Sequence, residues 1–218
     1  LGLITPWNLP VAIPLRTIIP AVLSGNAVLW KPSEHTLGTS RLLASLFDEF
    51  LEPGLVQCVL GAGEHGACIV ESGVDSVFFT GSVQTGRKVG LAATEANISS
   101  ALELGGKDAA VVLADADIER AAHGIVWGAF AFAGQNCASV ERCYVDSTVF
   151  DAFLEHALQQ TALLKLGRDI GPLVTEHQLN TVVRHIADAV EGGAEVQFGG
   201  EPGDGGFYYR PTVLTSVP

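Results

Sequence analysis

The strongest constraint on the fold is a regular alternation of β-forming runs and helical segments between residues 27 and 106. Strands are predicted for AVLWK (27–31), LVQCVLG (55–61) and DSVFFTG (75–81), and helices for 36–51, 63–72 and 82–96. A helix between two strands returns the chain to the starting end of the sheet, so such strands pair in parallel. This order predicts an α/β fold in which a parallel sheet carries helices on both faces.

A second group of elements follows the glycine pair of ISSALELGG (98–106). Its members are a strand at 109–114, an apolar helix at 117–134, a strand in ERCYVDS, helices near 148–164 and 175–191, and a glycine-rich tail of strands and turns. A domain boundary is therefore predicted near Gly105, which gives one domain over residues 1–104 and another over 105–218.

Charge and hydropathy argue against two classes of partner. The chain carries a net charge of −12 without a basic stripe, which excludes nucleic acid as an expected partner. No apolar run reaches the roughly 18 uninterrupted residues that a membrane-spanning helix needs, so no membrane association is predicted. Both ends, LGLITPWN and RPTVLTSVP, resemble protein interior in a sequence without methionine, and the chain is predicted to be a piece of a longer protein.

The cysteines and histidines do not predict a metal site. Cys58, Cys68, Cys137 and Cys143 form no CxxC pair, and the six histidines form no HxxxH or HExxH pattern. A zinc site built from Cys137, Cys143 and a histidine is disfavoured because Cys-x5-Cys is an unusual ligand spacing. Four free thiols without a signal-peptide pattern indicate a reducing compartment, and a cytoplasmic location is predicted.

The segment FFTGSVQTGRKVG predicts a strand, a glycine turn and the start of a helix. Gly81 and Gly86 would let a ligand approach the backbone, and the free N–H groups of the first helical turn, with Ser82, could hold a pyrophosphate. The GxxxxG spacing differs from the GxGxxG of dinucleotide folds, and the GK[ST] ending of a P-loop is absent. An ordinary glycine turn is the alternative.

Three further segments carry polar groups at predicted turns or strand ends. Lys31 and Glu34 in LWKPSE would either grip the two hydroxyls of a ribose or form an ion pair on a solvated turn. Glu103 in LELGG is either a desolvated carboxylate suited to proton transfer or an edge-strand residue that faces water. Asn8 in PWNLP either aims an amide donor at developing negative charge or bonds to its own turn.

Cys137 in GQNCASVER is the candidate nucleophile. It follows an apolar helix and a turn of small residues, which would present the sulfur in a cleft, whereas most free cysteines are small buried thiols. The other three cysteines are expected to be such buried thiols: Cys58 in a strand, Cys68 on a helix flank and Cys143 in the strand after the turn.

Taken in order, the motifs PWNLP, WKPSE, FTGSVQTGRKVG, LELGGKD and GQNCASVER closely resemble the NAD(P)-dependent aldehyde dehydrogenase superfamily. IGPLV (170–174) and the closing YYRPTVLTSV fit the same family, and the resemblance runs across essentially the whole chain. It implies an aldehyde dehydrogenase-like α/β fold with a Rossmann-like cofactor domain and an α/β catalytic domain, both incomplete here. The complete protein is expected to be a homodimer or homotetramer.

The resemblance also implies a reaction and the residues that perform it. The reaction is oxidation of an aldehyde to a carboxylic acid with NAD(P)+, through a thiohemiacetal and a thioester on Cys137. Asn8, with the Cys137 N–H, would stabilise the oxyanion, and Glu103 would activate the water that hydrolyses the thioester. Glu34 favours NAD over NADP because its charge opposes a 2′-phosphate. The implied cofactor-binding residues are Trp7, Lys31, Glu34, Gly63, Gly81, Ser82, Gly86 and Leu104.

The chain departs from the family pattern at three places. It begins just before PWN, it ends before the family's E-E-I-F-G-P-like segment, and LKLGRDIGPL is shorter than the usual loop. Two other functions stay open: an acylating enzyme that passes the acyl group from Cys137 to CoA, against which Glu103 argues, and a catalytically silent binding module. The sequence does not specify the aldehyde, and Phe130, Phe132 and Ala138 near the thiol are candidate substrate contacts.

Overall fold

The computed structural model describes residues 1–217. They fall into two compact units, Leu1–Gly105 and a second unit that begins at Gly106. Each unit has its own strands, helices and apolar core. This division does not test the cofactor-binding role predicted for residues 1–104 or the catalytic role predicted for residues 105–218, and both roles stay predictions.

The first unit is built around a five-stranded parallel sheet. Its strands are β1 (Gly2–Ile4), β2 (Val28–Lys31), β3 (Val56–Cys58), β4 (Ser76–Thr80) and β5 (Ser99–Glu103), in the spatial order β3-β2-β1-β4-β5. The connecting helices are α1 (Ala12–Leu23), α2 (Leu37–Phe50), α3 (Gly63–Glu71) and α4 (Val83–Glu95), with a 3₁₀ turn, Glu34–Thr36, before α2. Every neighbouring pair of strands is parallel, which confirms the predicted fold class.

The central strand β1 sends consecutive side chains to opposite faces of the sheet. Leu3 packs in one core with Ile18 of α1 and Leu43 of α2. Ile4 packs in the other core, with Val70 of α3 and Val89 of α4. Because side chains alternate along a strand, α1 and α2 cover one face of the sheet and α3 and α4 cover the other.

The sequence patterns predict no element before residue 27, whereas the structure has both β1 and α1 there. β1 has only three residues, which is too few for a periodic signal. α1 contains Pro14 and Pro20, and proline usually argues against a helix. Pro14 lies in the first turn, where the missing N–H has no intrahelical partner, so the helix accommodates it.

The second unit contains one parallel and one antiparallel strand pair. β6 (Asp108–Val112) and β7 (Val140–Val145) pair in parallel, and β8 (Glu195–Phe198) and β9 (Val213–Thr215) pair antiparallel. The helices are α5 (Ile118–Phe130), α6 (Phe150–Leu163) and α7 (Glu176–Glu191). Phe153 and Ala157 of α6 pack with Ala122 and Val126 of α5 and with Val112 of β6, which forms the core of this unit.

The helix predicted over 117–134 ends earlier in the structure, at Phe130. It is followed by a 3₁₀ segment, Ala131–Gly134, in which Phe132, Ala133 and Gly134 have φ angles of 56°, 57° and 72°. Residues with a side chain avoid this left-handed region at a cost of about 1–2 kcal/mol each. The backbone therefore changes from right-handed to left-handed helical dihedral angles shortly before Cys137. The spacing of apolar residues does not predict this change.

Candidate functional site

The predicted cofactor-binding residues and two of the predicted catalytic residues, Asn8 and Glu103, lie at or just after the carboxyl ends of the five parallel strands. They are Trp7 and Asn8 after β1, Lys31 and Glu34 at the end of β2, Gly63 after β3, Gly81, Ser82 and Gly86 after β4, and Glu103 and Leu104 at the end of β5. The carboxyl ends of parallel strands share one edge of the sheet, and ligands of open α/β sheets bind at that edge. The fold thus brings to one edge residues that are up to 97 positions apart in sequence, from Trp7 to Leu104.

The turn after β4 starts α4 with a positively polarised helix end. Ser82 is the N-cap, and its Oγ accepts a hydrogen bond of 3.2 Å from the Thr85 N–H. No acidic side chain lies in the first turn of α4. Gly81 N–H donates to the Glu103 carbonyl at 3.0 Å, which fixes the turn against β5. A helix N-terminus of this kind suits a phosphate group.

The two glycines of this turn are also required by packing. A Cβ at Gly81 would lie 2.7 Å from Phe79 Cζ. A Cβ at Gly86 would collide with Leu104 Cδ2 and lie 3.2 Å from Phe79 Cε1. Leu104, predicted to line the cofactor, packs against the core that contains Phe79. Close packing of α4 on the sheet is therefore a second reason for glycine at these positions.

Gly86→Ala is expected to lower the free energy of unfolding of the first unit by about 1–3 kcal/mol, because the added methyl group overpacks the contact with Phe79 and Leu104. Urea unfolding followed by circular dichroism measures this. The matched control is Gly38→Ala in α2, where the added Cβ meets nothing within 4 Å. Equal unfolding midpoints for the two variants would contradict the packing argument.

Lys31 and Glu34 form an ion pair at the end of β2, with Lys31 Nζ 3.0 Å from Glu34 Oε2. Lys31 is only 5% exposed, while Glu34 faces solvent. Partial burial raises the pKa of Glu34, but its own backbone N–H and the Lys31 ammonium outweigh that effect and hold the pKa below its usual range. A lowered carboxyl pKa stabilises the fold above the unfolded-state value, and this stabilisation is lost as the pH falls through the folded-state value.

The PWN turn is anchored to β2 by the residue just before it. Thr5 N–H donates to the Lys31 carbonyl at 3.1 Å, and the buried Trp30 indole N–H donates to Thr5 Oγ1 at 2.9 Å. Trp7 and Asn8 follow as half-buried residues. These bonds hold the start of the turn rigidly beside the end of β2.

Glu103 is the last residue of β5, which lies at the edge of the five-stranded sheet. The side chain is exposed in the described chain, and its neighbour Leu102 is 37% exposed. Of the two sequence interpretations, a desolvated carboxylate between leucines is therefore wrong, and the edge-strand position that faces water is the one observed.

Cys137 is exposed, as the sequence predicts for a nucleophile. Its thiol lies 3.6 Å from Asn136 Oδ1, which also accepts from the Ala138 N–H at 3.3 Å. The Gly106 backbone lies close to the Cys137 backbone, since a Cβ at Gly106 would lie 2.9 Å from the Cys137 carbonyl oxygen. The sulfur is thus presented at the surface of the second unit by a tightly held loop.

The loop around Cys137 is fixed to the end of α5 by Ser139. The hydroxyl of this residue, which is 1% exposed, donates to the carbonyls of Ala129 at 3.1 Å and Gly128 at 3.3 Å. It satisfies carbonyl groups that the ending helix leaves without a partner. The predicted substrate contacts lie close by in sequence, and Phe132 on the left-handed turn is 63% exposed.

The other thiols differ from the expected buried cysteines. Cys68 and Cys143 are exposed, so the prediction that they are buried is wrong; only Cys58 is partly buried. Burial, with a smaller effect of the Asp48 charge, raises the pKa of Cys58 to about 11. Partial burial also raises the pKa of the Cys143 thiol. Both shifts suppress the thiolate at neutral pH, which makes these two cysteines poor nucleophiles.

Two kinds of site are absent from residues 1–217. No group of three or more His, Cys, Asp or Glu side chains is placed to hold a metal ion. No helix in this range is both long and apolar enough to cross a bilayer.

Comparison with known sequences gives many related proteins. The chain is 41% identical to 4,4′-diapolycopene aldehyde oxidase of Methylomonas sp over 221 residues, which cover 99% of the chain and 41% of that protein. It is 37% identical to lactaldehyde dehydrogenase of Escherichia coli (strain K12) over 225 residues, covering 98% of the chain and 47% of the relative. The chain therefore spans less than half the length of these curated relatives.

Solved structures give the same result. Lactaldehyde dehydrogenase from Escherichia coli superimposes with a TM-score of 0.97 at 36% identity, over 100% of this chain and 48% of that one. The NAD-dependent aldehyde dehydrogenase from Sinorhizobium meliloti superimposes with a TM-score of 0.96 at 37% identity, over 100% of this chain and 45% of that one. The profile of the aldehyde dehydrogenase family matches residues 1–218. The chain belongs to the aldehyde dehydrogenase family.

Proposed function

We propose that the complete gene product oxidises an aldehyde to a carboxylic acid with NAD(P)+. The observation that carries the proposal is the placement of Asn8, Lys31, Ser82 and Glu103 at the ligand-binding edge of one parallel sheet. The exposed thiol of Cys137 in the second unit supplies the nucleophile that such an oxidation uses. The relatives named lactaldehyde dehydrogenase and 4,4′-diapolycopene aldehyde oxidase support the same class of reaction.

The sheet edge suits a nicotinamide dinucleotide in two respects. The first turn of α4 offers backbone N–H groups and the Ser82 hydroxyl to a pyrophosphate, and no acidic side chain in that turn repels it. The Lys31–Glu34 pair offers a donor and an acceptor to the two hydroxyls of a ribose. Trp7, Gly63 and Leu104 are proposed to line the same cofactor. NAD(P)+, when bound, supplies the two-electron acceptor of the oxidation.

In the proposed reaction, the Cys137 thiolate adds to the aldehyde carbon and forms a carbon–sulfur bond. The role proposed for Asn8, with the Cys137 N–H, is to stabilise the negative charge on the oxygen of this thiohemiacetal. Two-electron oxidation then converts the adduct to a thioester. Glu103 is proposed to take a proton from water, whose oxygen attacks the thioester carbon. The carbon–sulfur bond breaks, the carboxylic acid leaves and the thiolate is restored.

Glu34→Gln is expected to shift cofactor preference toward NADP. Removing the carboxylate removes its repulsion of a 2′-phosphate, which is about 1 kcal/mol at contact in water. The ratio of kcat/KM for NADP to that for NAD should rise about fivefold. Glu52→Gln, an exposed acid after α2, is the control and should leave the ratio unchanged. The gain should shrink at high salt because an exposed charge is screened; an unchanged ratio for Glu34→Gln at low salt would contradict the assignment.

The proposed function is tested by offering the complete gene product a panel of aldehydes with NAD and with NADP. We expect NADH formation with at least one aldehyde, and the matching free carboxylic acid as the product. Repeating the assay with CoA separates the acylating alternative, in which an acyl-CoA accumulates and turnover depends on CoA. No cofactor reduction with any aldehyde would favour the silent binding module and would overturn the proposal.

Assembly and location are part of the same proposal. We expect the complete gene product to be a homodimer or homotetramer in the cytoplasm, with a small-molecule aldehyde as its partner and no nucleic acid. Light scattering after size-exclusion chromatography measures the assembly, and a monomer at micromolar concentration would contradict it.

A further inference from the structure

The side chain of Gln135 ties the Cys137 loop to a segment far along the chain. Its Nε2 donates to the Phe132 carbonyl at 3.1 Å and to the Pro172 carbonyl at 3.4 Å. Its Oε1 accepts a hydrogen bond of 2.9 Å from the Val174 N–H. One half-buried amide thus contacts a backbone group of its own turn and backbone groups of a segment that begins 37 residues further along the chain.

The first of these segments is the left-handed turn before the thiol. Phe132 and Ala133 have φ angles of 56° and 57°, in a region that residues with side chains avoid. The Phe132 carbonyl accepts from both the backbone N–H of Gln135, at 3.2 Å, and its side-chain amide. An unfavourable backbone conformation persists only where surrounding contacts determine it, and such residues concentrate at functional sites.

We propose that Gln135 is a positioning residue for the Cys137 nucleophile. Its hydrogen bonds hold the left-handed turn of 132–134 against the 172–174 segment. The position of that turn fixes the direction in which the Cys137 sulfur points. The inference rests on the proposed oxidation through Cys137. It adds a residue that would act through the thiol without touching substrate or cofactor.

The chemistry of the three backbone groups explains why an amide stands at this position. Two of them, the carbonyls of Phe132 and Pro172, need a donor, and the third, the Val174 N–H, needs an acceptor. An uncharged side chain with an NH₂ group and a carbonyl oxygen satisfies both needs. Methionine has the same length and offers neither, while ionised glutamate offers only acceptors.

The first test compares Gln135→Met with Gln197→Met in the complete gene product. Gln197 is a half-buried glutamine of β8 whose amide donates to Thr215 Oγ1 at 2.8 Å, so the same substitution also breaks a side-chain bond there. For Gln135→Met, kcat should fall about 100-fold, the loss expected for a displacement of about 1 Å, while KM for NAD stays within about threefold. For Gln197→Met, kcat should stay within about twofold of the unchanged protein.

The second test uses Gln135→Glu, which has nearly the same shape and does not depend on the methionine variant folding. Above the pKa of the new carboxyl group, the ionised side chain has no proton to donate, and its charge repels the carbonyl oxygens of Phe132 and Pro172. The hydrogen bonds that join the two segments are then lost. As the pH falls, the group gains a proton and can donate again. The ratio of kcat for Gln135→Glu to kcat for the unchanged protein should rise about tenfold between pH 8.5 and a pH below the pKa of the new carboxyl group, which an NMR titration of the variant provides. Taking the ratio removes ionisations that both proteins share.

The outcomes separate this inference from the proposed function. No turnover by the unchanged protein with any aldehyde overturns both. Turnover by the unchanged protein, with kcat of Gln135→Met within about twofold of it, overturns the positioning role alone. A lower melting temperature with normal kcat would assign Gln135 to stability only. If Gln135→Met does not fold, a ratio for Gln135→Glu that stays flat as the pH falls through the pKa of the new carboxyl group overturns the inference.

Discussion

Cys137→Ala is expected to abolish aldehyde-dependent reduction of NAD+ by the complete gene product, a loss of at least about 10⁴-fold in kcat. The variant lacks the sulfur that the proposed reaction joins to the aldehyde carbon, and no other exposed nucleophile belongs to this loop in the described chain. The reaction is followed by the absorbance of NADH. Binding of NAD+, measured by quenching of tryptophan fluorescence, should be retained because the sheet edge is unchanged.

Cys143→Ala is the matched control for this variant. Cys143 is also exposed and lies six residues further on, in β7, but partial burial raises the pKa of its thiol. We expect its removal to leave kcat within about threefold of the unchanged protein. Turnover that survives in Cys137→Ala and disappears in Cys143→Ala would transfer the nucleophile to β7 and refute the assignment.

Glu103→Gln is expected to separate the two halves of the reaction. Oxidation of the thiohemiacetal does not need a base that activates water, so a first burst of one NADH per active site should survive. Hydrolysis of the thioester needs that base, and steady turnover should fall about 10²–10⁴-fold. Stopped-flow absorbance records the burst, and mass spectrometry of the acid-quenched protein should find the acyl group on Cys137.

Glu95→Gln is the control for Glu103→Gln, because Glu95 is an exposed acid at the end of α4 in the same unit. It should leave both the burst and the steady rate unchanged. If the burst and the steady rate of Glu103→Gln fall together, Glu103 acts before the thioester forms, and its proposed role in hydrolysis is lost.

The alternating elements of the first unit were predictable because each strand and helix carries its own periodicity. Residues 36–51 repeat apolar side chains at helical spacing, and the structure has α2 there. β1 was not predictable, since three residues carry no period and their strand character comes from pairing with β2 and β4. The sheet edge that gathers the candidate residues follows from parallel pairing and could be inferred once the alternation was recognised.

The parts of the candidate site that sequence missed depend on contacts between distant residues. The left-handed turn at Phe132 and Ala133 is held by a hydrogen bond from Gln135, and the Ser139 hydroxyl then bonds to the last carbonyls of α5. No local sequence pattern predicts either feature. The exposure of Cys68 was missed because burial depends on which face of a helix meets the core. For Glu103 the sequence supported a desolvated carboxylate and a water-facing one equally. The exposure of the side chain in the outer strand β5 decided between them.

The position of β1 in the middle of the sheet has a consequence for biosynthesis. Gly2 pairs with Leu29 on one side and with Val77 on the other, so β1 leaves the ribosome well before β4, its second neighbour. At a translation rate of about 5–20 residues per second, β1 has one row of unpaired N–H and C=O groups for roughly 4–15 seconds before β4 is synthesised. An open strand edge is a template for pairing with another chain. The yield of folded protein should therefore depend on translation speed and on chaperones that shield nascent strands.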